Sequence, residues 1–167
     1  MPRTPKMPDA PSPQELVPSE DRAGKEPAFS SEGYNKAARS AKLQGINLIR
    51  CSFASTPEFF RVRREGSELD LRYGCTTDTA AFLKDEGIGS LEWKWSVTVF
   101  DGKKKTLSVQ ATYLVIYDNF VECEEDSVKR FMSRVGRFAS YPYFRSHVSQ
   151  ISWESGTSLP ILPVIST

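Results

Sequence analysis

The sequence is poor in the residues that most often carry catalysis and metal binding. Its 167 residues include one histidine and three cysteines, and the cysteines are too far apart to form a CxxC pair. Without such a pair, neither a zinc knuckle nor a dithiol redox motif can form. We therefore predict no metal site and no cofactor, and we interpret Cys51, Cys75 and Cys123 as reduced thiols.

Long apolar runs are also missing. No stretch of about 18 apolar residues is present, so no segment is predicted to span a bilayer. The first residues are polar and rich in proline, unlike the apolar core of a signal peptide. The 22 basic residues nearly balance the 21 acidic ones, so the net charge does not favour nucleic acid or an anionic membrane. These absences predict a cytoplasmic protein.

The first 30 residues have a composition of their own. They contain seven of the eleven prolines and a single aromatic residue, Phe29. Such a segment buries too little apolar surface to offset the entropy of ordering it. We predict a disordered proline-rich arm over residues 1–30 and a short helix over 31–45, which Ser31 caps and Gly45 ends. Because its apolar face is thin, we expect this helix to lie on a surface or on a partner subunit.

Apolar residues at every second position form the strongest pattern. In "LEWKWSVTVF" every second side chain from Leu91 to Val99 is apolar, and the same holds from Leu107 to Tyr117. Asp101-Gly102 between them is typical of a tight turn. We predict a long antiparallel hairpin with one buried face.

The segments before this hairpin give weaker patterns. We predict a strand from Ile46, then two short strands that meet at a turn over residues 65–67. Pro57 separates the first strand from these two, since proline cannot donate a hydrogen bond to a neighbouring strand. Residues 74–90 are predicted to be mainly loop, with one helical turn around Ala80 to Lys84.

The end of the chain predicts helices. Apolar residues recur at spacings of three and four from Val128 to Ala139, which is typical of a helix with one buried face. Pro142 predicts a break, followed by a second helix from about Tyr143 and an extended apolar tail after Gly156. Strands followed by helices favour an α+β domain with a single antiparallel sheet.

His147 raises the question of catalysis. A nucleophile must lie within about 3 Å of its base, and Ser146 and Ser149 are near in sequence. On a helix, however, adjacent residues point about 100° apart and residues two apart nearly opposite, so neither serine can pair with the imidazole. The residues that share its predicted face are apolar, which favours a packing role.

Two further functions remain as alternatives. A small hydrolase could combine His147 with the acidic turn over residues 122–126, although acidic residues are also expected wherever a helix begins. A nucleic-acid-binding surface could use the lysines at 103–105 with Arg61, Arg63 and Arg64, and its binding would depend steeply on salt.

Two segments resemble the SecB family of protein-export chaperones. They are "VTVFDGKKKTLSVQATYLVIYDNF" and, above all, "YPYFRSHVSQISWESGTSLPILPV". The second contains a family-like Tyr-Pro-Tyr sequence at 141–143, then Arg145, a Gly-Thr turn at Gly156 and a Leu-x-Pro segment from Leu159 to Pro163. The resemblance covers roughly residues 46–167, which we predict to be one SecB-like domain.

This resemblance implies a fold and a function. The fold is a four-stranded antiparallel sheet with a long helix packed on one face, and the assembly is a homotetramer built as a dimer of dimers. The function is that of an ATP-independent chaperone, a holdase, which binds unfolded polypeptides in apolar grooves. Its clients would be exported proteins or a dedicated client such as an antitoxin. The candidate client-binding residues are the aromatics outside the regular stripes: Phe53, Phe59, Phe60, Tyr141, Tyr143 and Phe144.

One departure from the family concerns the translocase motor SecA. Export members carry acidic residues on the first strand and the hairpin, and these dock SecA. At the matching places this sequence has Arg50, Ala54 and a lysine-rich hairpin tip. We therefore do not expect SecA docking.

Overall fold

The structure, a computed structural model, describes residues 31–165, so the predicted arm over 1–30 lies outside the described residues. Its elements are α1 (Ser31–Ser40), β1 (Lys42–Ser55), α2 (Pro57–Glu65), β2 (Asp70–Thr77), β3 (Ala81–Leu83), β4 (Ile88–Asp101), β5 (Lys104–Asp118) and α3 (Glu125–Glu154). The four long strands form one antiparallel sheet in the order β1-β5-β4-β2, and short β3 pairs with β4. The predicted α+β class and antiparallel sheet are confirmed.

The predicted hairpin is β4 and β5. Side chains along β4 alternate between buried and half-buried, as the sequence pattern requires. Its turn lies one residue later than predicted, because Asp101 pairs with Lys104 and leaves Gly102 and Lys103 as the two turn residues. Gly102 has a φ of 57°, a left-handed conformation that glycine adopts without steric cost.

Helix α3 runs through Pro142 without a break, so the prediction of two helices was wrong. Pro142 is exposed, whereas Tyr141 and Phe144 are buried against Trp95, with ring centroids 5.0 and 5.9 Å from the indole. The Trp95 indole N–H also donates a hydrogen bond of 3.0 Å to Ser140 Oγ. Burying each large side chain contributes about 1.5–3 kcal/mol, which offsets the roughly 3 kcal/mol cost of an interior proline.

The segment from Pro57 to Glu65 is helix α2, so the prediction of strands there was wrong. Pro57 occupies the first turn, where a missing N–H costs little. Gly66 ends the helix in a left-handed conformation with a φ of 74°. Phe59 and Val62 are buried three residues apart, which places both on one helical face.

The predicted bounds of the first helix were too long. Helix α1 ends at Ser40 and β1 begins at Lys42, so Gly45 lies in a strand, next to a β-bulge, instead of ending a helix. Ala37 is fully buried, and the Tyr34 ring lies 6.3 Å from that of Phe131 on α3. The helix therefore packs on α3 of its own chain.

The loop prediction for residues 74–90 was also wrong in part. Strand β2 extends to Thr77, and residues 81–83 form β3 where a helical turn was expected. Pairing with β4 explains both results, since it supplies the backbone partners that the local sequence does not indicate. Among the helices within residues 31–165, none has both the length and the apolar character needed to cross a membrane.

We predict that Gly136→Ala destabilises the fold, although alanine normally favours a helix by about 1 kcal/mol. An added Cβ at Gly136 would lie 2.5 Å from Nε1 of the buried Trp93. Such overpacking costs about 1–3 kcal/mol. Urea unfolding followed by circular dichroism should show a lower midpoint for the variant.

Gly33→Ala is the matched control. An added Cβ there would lie 2.5 Å from Ser127 Oγ, a small side chain that can rotate away. We expect the urea midpoint of this variant to stay equal or to rise. An equal rise for Gly136→Ala would contradict the close packing of α3 on Trp93.

Candidate functional site

Strand β1 is the outer strand of the sheet on one side. Among the described strands it pairs only with β5. Its register places Leu48 opposite Tyr113, Cys51 opposite Ala111 and Phe53 opposite Val109. Cross-strand partners lie on the same face of a sheet. Because those three β5 side chains are buried on the face that α3 covers, the three β1 side chains lie on this face too.

Helix α3 leaves this part of β1 uncovered. Leu48 is 46% exposed and Phe53 is 38% exposed, although both lie on the side of the sheet that carries the core. One contact marks where the helix approaches β1, since Cys51 Sγ lies 3.0 Å from His147 Nε2. Next to it, the ring of exposed Tyr143 lies 6.4 Å from that of Tyr113 on β5.

We call this surface the β1–α3 strip. It consists of Leu48, Cys51, Phe53, Tyr113, Tyr143 and His147. Leu43 continues the same face towards the start of β1, where it pairs with Tyr117 and is half exposed. The strip therefore combines exposed apolar side chains with one thiol and one imidazole.

The six predicted client-binding residues separate into two groups. Phe59, Tyr141 and Phe144 are at most 3% exposed and belong to the core, where a client cannot reach them in this structure. Phe53, Phe60 and Tyr143 are exposed. The structure places Phe53 and Tyr143 on the strip and Phe60 on α2, which follows directly after β1.

Sequence reasoning assigned only Phe53 and Tyr143 of the strip to client binding; it placed Tyr113 on the buried face of the hairpin and missed the other three. Leu48 gave no distinct pattern, since nothing in the sequence identifies β1 as an outer strand. Cys51 and His147 are 96 residues apart, and no motif connects them. The residues sharing a helical face with His147 were read correctly as apolar, but its polar partner comes from the sheet.

The opposite, open face of the sheet is mainly polar beside the middle of β1. Arg50 pairs with Thr112, Ser52 with Gln110 and Ala54 with Ser108. The two residues at the expected SecA-docking places, Arg50 and Ala54, thus lie on this face. One strand therefore presents apolar side chains on one side and small or basic ones on the other.

The acidic turn lies far from His147. Residues 122–126 precede and begin α3, and His147 is 22 residues after Glu125, or about 33 Å along a helix. Lys129 donates a hydrogen bond to the Glu125 carboxylate, and this bond together with the lysine charge lowers the pKa of Glu125. Within residues 31–165, no cluster of three or more His, Cys, Asp or Glu residues could hold a metal ion.

Three of the six basic residues around the hairpin tip, namely Lys104, Arg61 and Arg63, make contacts within the protein. The Glu58 carboxylate of α2 accepts hydrogen bonds from Lys104 and Arg61, and these bonds lower the pKa of Glu58. Arg63 Nη1 donates to the carbonyl oxygens of Thr157 and Gly156, at 2.6 and 3.2 Å. This use of the cations weakens the nucleic-acid alternative.

Among known proteins, similarity to this chain is found in structure and not in sequence. No family model and no curated protein sequence matches the chain. The SecB-like chaperone of Mycobacterium tuberculosis, solved in complex with a ChAD peptide from the HigA1 antitoxin, superposes with a TM-score of 0.63. The two sequences are 18% identical, and the match covers 81% of this chain and 98% of that one.

The chain has a SecB-like fold. This confirms the fold that the resemblance implied, with four long antiparallel strands and a long helix on one face. A protein of unknown function from Streptococcus agalactiae also aligns, over 76% of this chain and 97% of that one, with 7% identity and a TM-score of 0.33. That similarity is too low to bear on the fold.

We predict that Lys104→Met raises the pKa of Glu58 towards its ordinary value, because the lysine is the main cause of its lowering. A carboxyl group with a lowered pKa adds stability above its unfolded pKa and loses it as the pH falls through the folded pKa. A carboxyl-carbon NMR titration measures the shift. Lys103→Met, a neighbouring exposed lysine, should leave the titration unchanged. Equal titrations in all three proteins would mean that the tip lysines are free for other partners.

Proposed function

We propose that this protein is an ATP-independent chaperone, a holdase, which binds non-native polypeptide along the β1–α3 strip. The observation that carries this proposal is the exposure of Leu48 and Phe53 on the core-facing side of the sheet. Contiguous exposed apolar surface is unusual in a protein without a partner for it. An unfolded chain offers the apolar side chains that such a surface needs, whereas a folded protein buries them.

The shape of β1 suits an extended client. The strand has 14 residues and is about 45 Å long at roughly 3.3 Å per residue. The backbone N–H and C=O groups on its side away from β5 can donate and accept hydrogen bonds with an added strand. A client could therefore contact apolar side chains and pair with the edge of the sheet at the same time.

The solved mycobacterial chaperone supports polypeptide binding by this fold, since it holds a peptide from an antitoxin. The open face of β1 favours a dedicated client over general export. Arg50 and Ala54 occupy this face at the places where export chaperones are expected to carry acidic docking residues. We therefore propose a dedicated client such as an antitoxin, action in the cytoplasm and no SecA docking.

The hydrolase alternative has less support. Cys51 gives His147 a neighbouring nucleophile, but a third group must orient the imidazole in the usual catalytic arrangement. The acidic turn that was to supply this group is about 33 Å away along α3. We therefore do not propose an enzyme.

We predict that the purified protein suppresses aggregation of a chemically unfolded test protein without nucleotide, and that Leu48→Ser weakens this effect. Truncating a central apolar contact costs about 1–2 kcal/mol of binding, which is roughly a tenfold loss of affinity. Light scattering after dilution of the unfolded protein measures the suppression. Fluorescence anisotropy of a labelled unfolded chain measures the affinity.

Leu83→Ser is the matched control, because Leu83 on β3 is 55% exposed and Leu48 is 46% exposed. The control should bind clients like the unchanged protein. If both variants bind equally well, the strip is not the client surface. If the unchanged protein neither suppresses aggregation nor binds any labelled chain, the holdase proposal fails.

We also propose a homotetramer, because several weak strips on one assembly would add avidity along one long client. Sedimentation velocity should give a species of about four chains. A monomer at micromolar concentration would contradict this assembly. If that monomer still bound clients, the proposed binding surface would remain supported.

A further inference from the structure

The strip contains a thiol and an imidazole in direct contact. Cys51 Sγ on β1 and His147 Nε2 on α3 are 3.0 Å apart, and they meet only because the helix packs on this sheet. Cys51 is exposed and His147 is partly buried. An imidazole at this distance can accept the thiol proton, and the resulting thiolate is the nucleophilic form of cysteine.

The other two cysteines lack these properties. Burial raises the pKa of the Cys75 thiol to about 12, so its thiolate is scarce near neutral pH. Cys123 is 3% exposed, and its Sγ lies 3.5 Å from Ser40 Oγ. Thiol reactivity in the folded protein should therefore be confined to Cys51.

The side chains around Cys51 are mainly apolar. Exposed Leu48 and Phe53 lie on the same face of β1, and exposed Tyr143 contacts Tyr113 beside it. Burial, with the charge of Cys51 as a second cause, raises the pKa of Tyr113 to about 12. The Tyr113 phenol beside the thiol is therefore neutral near neutral pH.

We propose that Cys51 is a reversible modification site, which reacts with low-molecular-weight disulfides to form a mixed disulfide. In this reaction His147 accepts the proton of the Cys51 thiol. The thiol proton moves to His147 Nε2, and the thiolate attacks one sulfur of the disulfide R–S–S–R. A Cys51–S–S–R bond forms, the original S–S bond breaks, and R–S⁻ leaves. The leaving thiolate takes the proton from the imidazolium and departs as R–SH, so no further oxidant is needed.

The modification has a consequence that rests on the proposed function. The added group would occupy the strip between Leu48 and Phe53, where the client is proposed to bind. The capped protein therefore binds clients more weakly, and a reducing agent restores binding. The holdase would release or refuse its client when the cellular disulfide level rises.

The first experiment uses the folded full-length protein and glutathione disulfide, without any client. Intact mass spectrometry should show one adduct, and peptide mapping should place it on Cys51. His147→Gln should slow the reaction about tenfold or more, since the amide cannot take up the proton. Cys51→Ser should abolish the adduct.

A relocated thiol separates the role of His147 from simple exposure. In Cys51→Ser with Ser52→Cys, the thiol moves one residue along β1 to the open face, where residue 52 is also exposed. This protein should react as slowly as His147→Gln. Adding His147→Gln to this relocated-thiol protein should not slow its reaction further. If His147→Gln acted by disturbing the structure in general, it would slow the reaction of both Cys51 and the relocated thiol.

Three results would overturn the proposed site. They are equal rates with and without His147, adducts on Cys75 or Cys123 in the folded protein, and an adduct that forms only after unfolding. The client assay of the capped protein is a separate test. If capped and uncapped proteins hold a client equally well, the regulatory role is wrong. If the uncapped protein holds none, the proposed function fails while the thiol chemistry stands on its own result.

Discussion

The contact between Trp95 and the middle of α3 determines which part of the sheet is covered. The indole is hydrogen-bonded to Ser140 and lies against Tyr141 and Phe144, so the helix is held over β4 and β5. A helix with its side chains is about 10–12 Å wide, and neighbouring strands are about 4.8 Å apart. One helix in this position reaches β1 only near Cys51, and the exposed strip is the result.

This constraint gives the two faces of β1 different uses. The side chains that point towards the helix are apolar and reach solvent, and Cys51 lies among them next to His147. The side chains on the other face, such as Arg50 and Ser52, belong to a polar surface without the expected acidic residues. The apolar contacts that would hold a client and the thiol that could be modified therefore occupy the same surface, so one could control the other.

The sequence allowed the hairpin and the class of the fold to be predicted, because apolar residues at every second position over β4 and β5, joined by a turn sequence, indicate a hairpin with one buried face. It did not allow α2 to be predicted, because a helix of nine residues has only about two and a half turns and shows little periodicity. Pro57 is also compatible with several structures. Pro142 was misleading for a different reason. Whether a proline breaks a helix depends on the contacts on either side of it, and these come from Trp95, more than 40 residues earlier.

The candidate site was predictable only in part, for a similar reason. Phe59 and Phe60 are adjacent aromatics, yet one is in the core and the other is exposed. The local sequence pattern cannot tell which of the two is buried when the segment is taken for a strand instead of a helix. The exposure of Leu48 and the meeting of Cys51 with His147 depend on strand order and on the position of α3. Both are properties of the whole sheet and leave no mark in the neighbouring residues.

The most direct measurement uses a photo-crosslinking residue at position 48 or at position 50. These positions are two residues apart on β1 but face opposite sides of the sheet. After illumination with a labelled unfolded polypeptide, we expect crosslinks from position 48 and few or none from position 50. Crosslinks mainly from position 50, or equally from both, would contradict the claim that clients bind along the β1–α3 strip.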